Sequence, residues 1–166
     1  MNVTAKRDER TLDATVNAVI IYDTFDFATT AKATLERAAQ RTCENPQWII
    51  KPWRVDMLKV PPAVEKSLAD AAAAHLIVLP VRQVQFLLED WLERWATCRQ
   101  VQEATLAVWD GGYTDTLSAQ VTSKLSHFVG HHGVSLIFDD HALPKREDSF
   151  TPDAPAHPGA VSECPL

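Results

Sequence analysis

The stretch from Ile20 to Lys32, IIYDTFDFATTAK, holds side chains that could bind a charged ligand. Strand-forming residues give way to helix-forming residues there, and the first turn of a helix presents free backbone N–H groups to an anion. Three hydroxyls would assist such binding and two carboxylates would oppose it: Thr24, Thr29, Thr30, Asp23 and Asp26. Each carboxylate beside a dianionic phosphate costs about 1 kcal/mol or more. The alternative is that Thr24 or Asp26 caps the helix and no anion binds.

Arg82 is the basic side chain that we expect nearest to these acids. Its guanidinium group can bind a phosphate through two parallel N–H groups. It can also form an ion pair with Asp23, Asp26 or Asp110. Because several carboxylates are expected around it, we favour the ion pair over a bound phosphate.

A second loop with chemical potential runs from Trp109 through Asp110, Gly111 and Gly112 to Tyr113. The two glycines allow a ligand to approach the backbone closely, and the two aromatic rings can stack on a planar group. The alternative is a tight turn in which Tyr113 packs over the edge of the sheet.

Histidines near the end of a predicted helix have the spacing of metal ligands. His127 and His131 are four residues apart and so share a helix face, with His132 beside them. The nearest acids in sequence, Asp139 and Asp140, follow a strand together with His141. Helix ends and strand ends lie at opposite edges of a parallel sheet, so we predict no metal site. The histidines then interact favourably with the helix dipole.

Five apolar segments rich in β-branched residues predict strands. They are VNAVIIY (16–22), WIIKPWRV (48–55), HLIVL (75–79), ATLAVW (104–109) and VSLIF (134–138). Pro52 lies within the second segment, and a proline there favours an edge strand or a bulge.

Amphipathic patterns between these strands predict four helices. The first starts near Asp26, runs to about Cys43 and buries Phe27, Ala31, Leu35 and Ala38. The second starts at Pro61 and Pro62 and buries Val64, Leu68 and Ala71 or Ala72. The third covers 84–98, with an apolar stripe at Val84, Leu87, Leu88, Trp91, Leu92 and Trp95. The fourth is capped by Thr114 or Asp115, ends at Gly130 or Gly133, and buries Leu117, Val121, Leu125, Phe128 and Val129.

Strict alternation of strands and helices predicts a parallel sheet covered on both faces. With five strands, the expected fold is a flavodoxin-like three-layer α/β/α sandwich with strand order 2-1-3-4-5. Ligands of such sheets bind beyond the carboxyl ends of the strands, where the order reverses between strands one and three.

Two longer segments resemble the flavodoxin superfamily, and loosely its NADPH-dependent FMN reductase branch. They are AAAAHLIVLPVRQVQFLLEDWLERW (71–95) and ATLAVWDGGYTDTLSAQVTSKLSHFVGHHGVSLI (104–137). The resemblance covers about residues 15–140. It implies FMN as cofactor, with its phosphate in the first loop and its ring against the third and fourth loops. The phosphate loop is divergent, because the family has Ser, Thr, Gly or Arg where this chain has two acids.

Receiver domains of two-component systems share this sheet and place acids after strand one to hold Mg²⁺. They also need an Asp after strand three, a Thr or Ser closing strand four and a Lys closing strand five. This chain has Leu79-Pro80, Trp109-Asp110 and Phe138-Asp139 at those points. We therefore predict no phosphorylatable receiver, while a degenerate one that binds partners stays open.

Composition narrows the class of protein further. The chain has 166 residues, 46% hydrophobic and 23% charged, with a net charge of −6. Its Lys and Arg residues are scattered, which argues against nucleic acid or an anionic membrane as a partner. No apolar run approaches the ~20 residues of a membrane span, and residues 1–14 lack the apolar core of a signal peptide. We expect a cytoplasmic protein.

We predict a lead-in at 1–14, a single domain at 15–143 and a disordered tail at 144–166, which holds five of the ten prolines. The three cysteines, Cys43, Cys98 and Cys164, suggest neither disulfides nor a nucleophile. Trp91 and Trp95 are expected either in the core or on a homodimer face.

Two functions stay open from sequence, and no catalytic residue is assigned. The first is a divergent flavin- or nucleotide-binding protein, with an oxidoreductase as its enzymatic form. In it the 23–30 loop meets the phosphate, and Arg82 and the 109–113 loop frame the ring. The second is a non-catalytic flavodoxin-like or degenerate receiver-like module that works through protein contacts.

Overall fold

The computed structural model describes residues 14–42, 46–110 and 117–139. Its strands are β1 (Thr15–Tyr22), β2 (Gln47–Arg54), β3 (Leu76–Pro80), β4 (Thr105–Trp109) and β5 (Ser135–Asp139). All pairings are parallel, and the strand order is β2-β1-β3-β4-β5. The predicted sheet and its order are confirmed, and this order is that of flavodoxin-like folds. The lead-in and tail predicted from sequence lie outside the described residues, apart from Ala14.

The described helices are α1 (Phe25–Gln40), α2 (Pro61–Ala72), α3 (Val84–Glu89), α4 (Trp91–Cys98) and α5 (Ala119–His132). Short 3-10 turns at Val55–Lys59 and Val81–Gln83 precede α2 and α3. None of these helices is long and apolar enough to cross a membrane.

The direction of the strand connections decides which helices share a face. The chain moves one way from β1 to β2 and the opposite way from β2 through β3 and β4 to β5. Right-handed crossovers then place α1 on one face and the other helices on the opposite face. Two hydrophobic clusters match this division, one built with α1 and a larger one built with α2, α3, α4 and α5.

The larger cluster takes its biggest side chains from the stripe predicted over 84–98. Trp91 and Trp95 are both buried, and each indole N–H has an acceptor in α2. Nε1 of Trp91 donates to Oγ of Ser67 at 2.9 Å, and Nε1 of Trp95 donates to the carbonyl of Ala71 at 3.0 Å. Both rings therefore belong to this chain's own core. Of the two predicted places for these side chains, the core is the one observed, and a homodimer through the helix that carries them stays a prediction.

The predicted third helix is divided in the structure. The backbone of Asp90 has φ −134° and ψ −73°, so α3 ends at Glu89 and α4 begins at Trp91. The prediction of one continuous helix was wrong, because periodicity reports the buried side of a segment and is insensitive to a single non-helical residue. The stripe itself stays buried across the break.

Helix ends also differ from the predicted ones. Ser118, with its side chain accepting from the N–H of Val121, caps α5, so the predicted caps Thr114 and Asp115 lie before the helix and outside the described residues. Gly133 ends α5 with φ +62°, as one of the two predicted terminators. In α1, Ala39 is buried and Ala38 is exposed, a shift of one position from the predicted face.

Candidate functional site at the carboxyl edge of the sheet

The carboxyl ends of β1 and β3 lie side by side and bring two predicted site residues together. Nη2 of Arg82 is 2.8 Å from Oδ2 of Asp23. The side chain of Asp23 is 12% exposed and that of Arg82 is 36% exposed. This is the ion pair favoured from sequence. It uses the guanidinium group that a phosphate would have required.

The N-terminus of α1 is capped by its own chain. Thr24 is the N-cap, and its hydroxyl accepts from the N–H of Phe27 at 3.3 Å. Asp26, proposed as an alternative cap, lies in the exposed first turn, where a negative charge is favourable to the helix dipole. One of the N–H groups that an anion would use is therefore already taken.

Thr29 and Thr30 lie inside α1 and not in the loop before it. The hydroxyl of Thr29 donates to the carbonyl of Phe25 at 3.0 Å, which closes a bond within the helix. Thr30 is exposed one residue further on. From sequence we expected both hydroxyls beside a bound phosphate. In the structure they lie within α1, beyond its first turn.

These residues do not fit the phosphate of FMN. The available cation is paired with Asp23, the cap of α1 is Thr24, and Asp26 adds a second negative charge. A dianion placed there would have to break the ion pair and would face both carboxylates.

Trp109 closes β4 at the same edge and is only 7% exposed. Its ring lies edge-on to that of Phe27 of α1, with centroids 6.0 Å apart and planes at 65°. The ring therefore packs in the smaller core instead of facing outward to stack on a planar ligand. Asp110 is half-buried beside it. The predicted contacts of Gly111, Gly112 and Tyr113 lie outside the described residues.

In the part of the chain that the structure describes, two buried polar atoms at this edge have no hydrogen-bond partner. They are Oδ1 of Asp23 and Nε1 of Trp109. Nε1 of Trp48 in β2 is likewise buried without a partner among the described residues, but it lies away from this edge. A buried polar group without a partner costs about 1–3 kcal/mol. One acceptor and one donor at this edge are therefore buried without a partner among the described residues.

Large apolar side chains are exposed in the segments that follow the strands at this edge, a feature that the sequence analysis did not predict. Phe25, Met57, Val60 and Phe86 are exposed, and each follows the carboxyl end of β1, β2 or β3. We call these four residues the apolar rim. Phe25 is the most exposed of the four, at 78%. Its position between Asp23 and Asp26, in the first turn of a helix, was the feature of the sequence that could have indicated this exposure.

One residue of the apolar rim, Phe86, contacts a neighbouring connection. Nζ of Lys59 lies 5.9 Å from the ring centroid of Phe86, a cation–π contact that joins the β2–α2 connection to α3. A groove of about 360 Å³ runs beside this contact. It is lined by four apolar and four charged residues, Leu58, Pro61, Val64 and Phe86 with Lys59, Glu65, Asp90 and Arg94. A smaller cleft of about 180 Å³ lies beside Phe25 on the other side of the sheet.

The histidines of α5 contact neighbouring side chains. Nε2 of His132 is 3.0 Å from Oε2 of Glu93 in α4, and the rings of His127 and His131 stack with centroids 6.1 Å apart. Among the described residues, no group of three or more His, Cys, Asp or Glu side chains could hold a metal ion. Asp140 and His141 lie outside the described residues, as does the side chain of Asp139.

Comparisons with protein-family models, with curated proteins and with solved structures found no match to this chain. The flavodoxin-like fold therefore rests on the strand order and the placement of the helices. The reductase branch of that superfamily remains a resemblance in sequence.

Proposed function

We propose that this chain is a non-catalytic flavodoxin-like module that binds a protein partner at the carboxyl edge of its sheet. The observation that carries the proposal is the apolar rim at the same edge of the sheet as the Asp23–Arg82 ion pair. Exposed aromatic, Met and Arg side chains are typical of protein interfaces.

The composition of the edge indicates what the partner carries. The rim needs apolar side chains opposite it, while the groove beside Phe86 is lined equally by apolar and by charged residues. Asp26 is exposed, and among the described residues no Lys or Arg forms an ion pair with it. We therefore expect a partner surface with aliphatic or aromatic side chains and a neighbouring Lys or Arg.

The proposal is tested by cross-linking in the cells that make the protein. Tagged full-length wild type is compared with Phe25→Ser, Phe86→Ser and the control Ile49→Ser, which changes an exposed residue of edge strand β2. We expect a discrete cross-linked protein that is lost from both rim variants and kept by the control. Circular dichroism confirms that each variant is folded. Identical cross-linked species for wild type and the rim variants would overturn the proposal.

A second candidate is supported by the unpaired atoms at the same edge. A small neutral ligand with one hydroxyl or amide group could donate to Oδ1 of Asp23 and accept from Nε1 of Trp109. Riboflavin and FMN separate the alternatives in a fluorescence titration. Quenching by riboflavin but not by FMN favours a neutral ring ligand. Tight binding of FMN would contradict the misfit of the phosphate, and binding of neither removes this candidate.

A further inference from the structure

The cleft of about 180 Å³ beside Phe25 lies where α1 packs on β1 and β2. One stripe of α1, at positions three or four residues apart, and alternate residues of the two strands form it. Its lining includes Phe25, Ala28 and Lys32 of α1, Tyr22 of β1, and Ile50 and Pro52 of β2. The fold therefore brings side chains from three elements around one depression.

The packing of α1 explains why the cleft is there. The helix buries Phe27 and Ala31 in the smaller hydrophobic cluster, together with Val78 of β3 and Trp109 of β4. Its flank toward the edge strand β2 carries Ala28 instead, whose side chain is a single methyl group. A short side chain at that position leaves space between the helix and β2, and the cleft occupies this space.

The charge of the lining distinguishes this cleft from the other depressions of the described chain. Lys32 is in the lining, and the described lining residues include no carboxylate. The grooves of about 360, 520 and 630 Å³ each have two carboxylates in their lining, which match or outnumber the Lys and Arg residues there. In a chain with a net charge of −6, the small cleft is therefore suited to an anion.

The ammonium group of Lys32 is available to such an anion. Its Nζ is 3.8 Å from Oε1 of Glu36, and both side chains are more than half exposed. An exposed pair of this kind contributes little, and an ammonium group has three N–H donors. Lys32 can therefore bind a second carboxylate without the loss of a strong ion pair.

The size and composition of the cleft indicate the class of ligand. Pockets that hold drug-sized ligands measure about 300–1,000 Å³, so a cleft of about 180 Å³ suits a ligand with a single ring. We propose that the cleft binds a small aromatic monocarboxylate, with its ring among the apolar side chains and its carboxylate at Nζ of Lys32. One negative charge matches the one ammonium group, and Phe25 and Tyr22 provide aromatic surface for a planar ring.

NMR titration of the full chain with benzoate and with benzamide tests the proposal, because the two probes differ in charge but hardly in shape. We expect benzoate at up to tens of millimolar to shift the amide signals of Ala28, Thr29 and Ile50 most. Benzamide should bind about threefold more weakly, the effect of one exposed ion pair. Lys32→Met should remove this difference.

Two further variants make the test specific. Lys66→Met, which removes an exposed lysine of α2, changes the net charge by the same amount and should keep the preference for benzoate. Ala28→Leu fills the cleft and should weaken the binding of both probes. Circular dichroism confirms that each variant is folded.

The proposal is overturned if benzoate causes no shifts, or if the shifts lie away from the cleft. Equal binding of the two probes, or a preference for benzoate that survives in Lys32→Met, would also overturn it. The result is independent of the protein partner proposed above, because none of the three variants changes a residue of the apolar rim.

Discussion

Nη2 of Arg82 lies 2.8 Å from Oδ2 of Asp23, across the point where the strand order of the sheet reverses. The carboxylate is largely buried, and its second oxygen, Oδ1, has no hydrogen-bond partner among residues 14–42, 46–110 and 117–139. The pair thus neutralises a charge that the fold has removed from water. It lies at the position where flavodoxin-like folds place their ligands.

Replacing Arg82 should therefore destabilise the protein. Arg82→Met leaves the carboxylate of Asp23 buried without its cation, and we expect the free energy of unfolding to fall by about 1–3 kcal/mol in urea denaturation. Arg54→Met is the control, because Arg54 pairs with Asp56 at 2.7 Å but both side chains are more than half exposed. For Arg54→Met the free energy of unfolding should fall by less than about 1 kcal/mol. Equal losses for the two variants would show that burial of Asp23 does not matter.

Replacing the two described glycines in and after α5 with alanine should change the free energy of unfolding in opposite directions. Gly133 has φ +62°, which costs a residue with a Cβ about 1 kcal/mol or more, so Gly133→Ala should destabilise. Gly130 lies inside α5, and a Cβ there meets no atom within 4 Å. Gly130→Ala should stabilise by about 0.5–1 kcal/mol. Chemical denaturation measures both, and a shared sign would contradict the assigned end of the helix.

Ser67 should contribute more to the stability of the protein than its small side chain suggests. Its buried hydroxyl donates to the carbonyl of Val64 at 2.7 Å and accepts from the indole of Trp91 at 2.9 Å. Ser67→Ala leaves that indole N–H buried without an acceptor, and we expect a loss of about 1–2 kcal/mol in thermal or urea unfolding. Ser123→Ala, on the exposed side of α5, is the control and should change little. No loss in Ser67→Ala would show that water replaces the hydroxyl.

Glu89 should titrate at lower pH than an ordinary glutamate. The hydrogen bond from Lys124, at 2.7 Å, and its positive charge hold the pKa of Glu89 below its usual 4.5. A lowered folded-state pKa means that the pair adds stability above the unfolded pKa and loses it as pH falls through the folded value. NMR titration of the carboxyl carbon measures this, and Lys124→Met should raise the pKa of Glu89. Lys32→Met, which removes the partner of Glu36 instead, should leave it unchanged.

Much of the fold was predictable because its signals are local. Hydrophobic periodicity and turn residues placed the five strands to within about one residue, and their alternation with helices implied the parallel sheet. Pro61 marked the start of α2, and Gly133 was one of two expected ends for α5. The helix starts were less certain from sequence. At α1 the choice lay between Thr24 and Asp26, and at α5 the cap, Ser118, was missed.

The character of the candidate site required tertiary structure. Sequence by itself determined that Arg82 would lie among acids at the carboxyl edge, with three carboxylates as equal partners. The adjacency of β1 and β3 is what places Asp23 2.8 Å from Arg82. In the same way, sequence identified Trp91, Trp95 and Trp109 as notable aromatic residues, and packing against Ser67, Ala71 and Phe27 decided that all three are buried. The exposure of Phe25 and of Ile137 is likewise invisible in sequence, because exposure depends on which elements the strand order leaves without a neighbour.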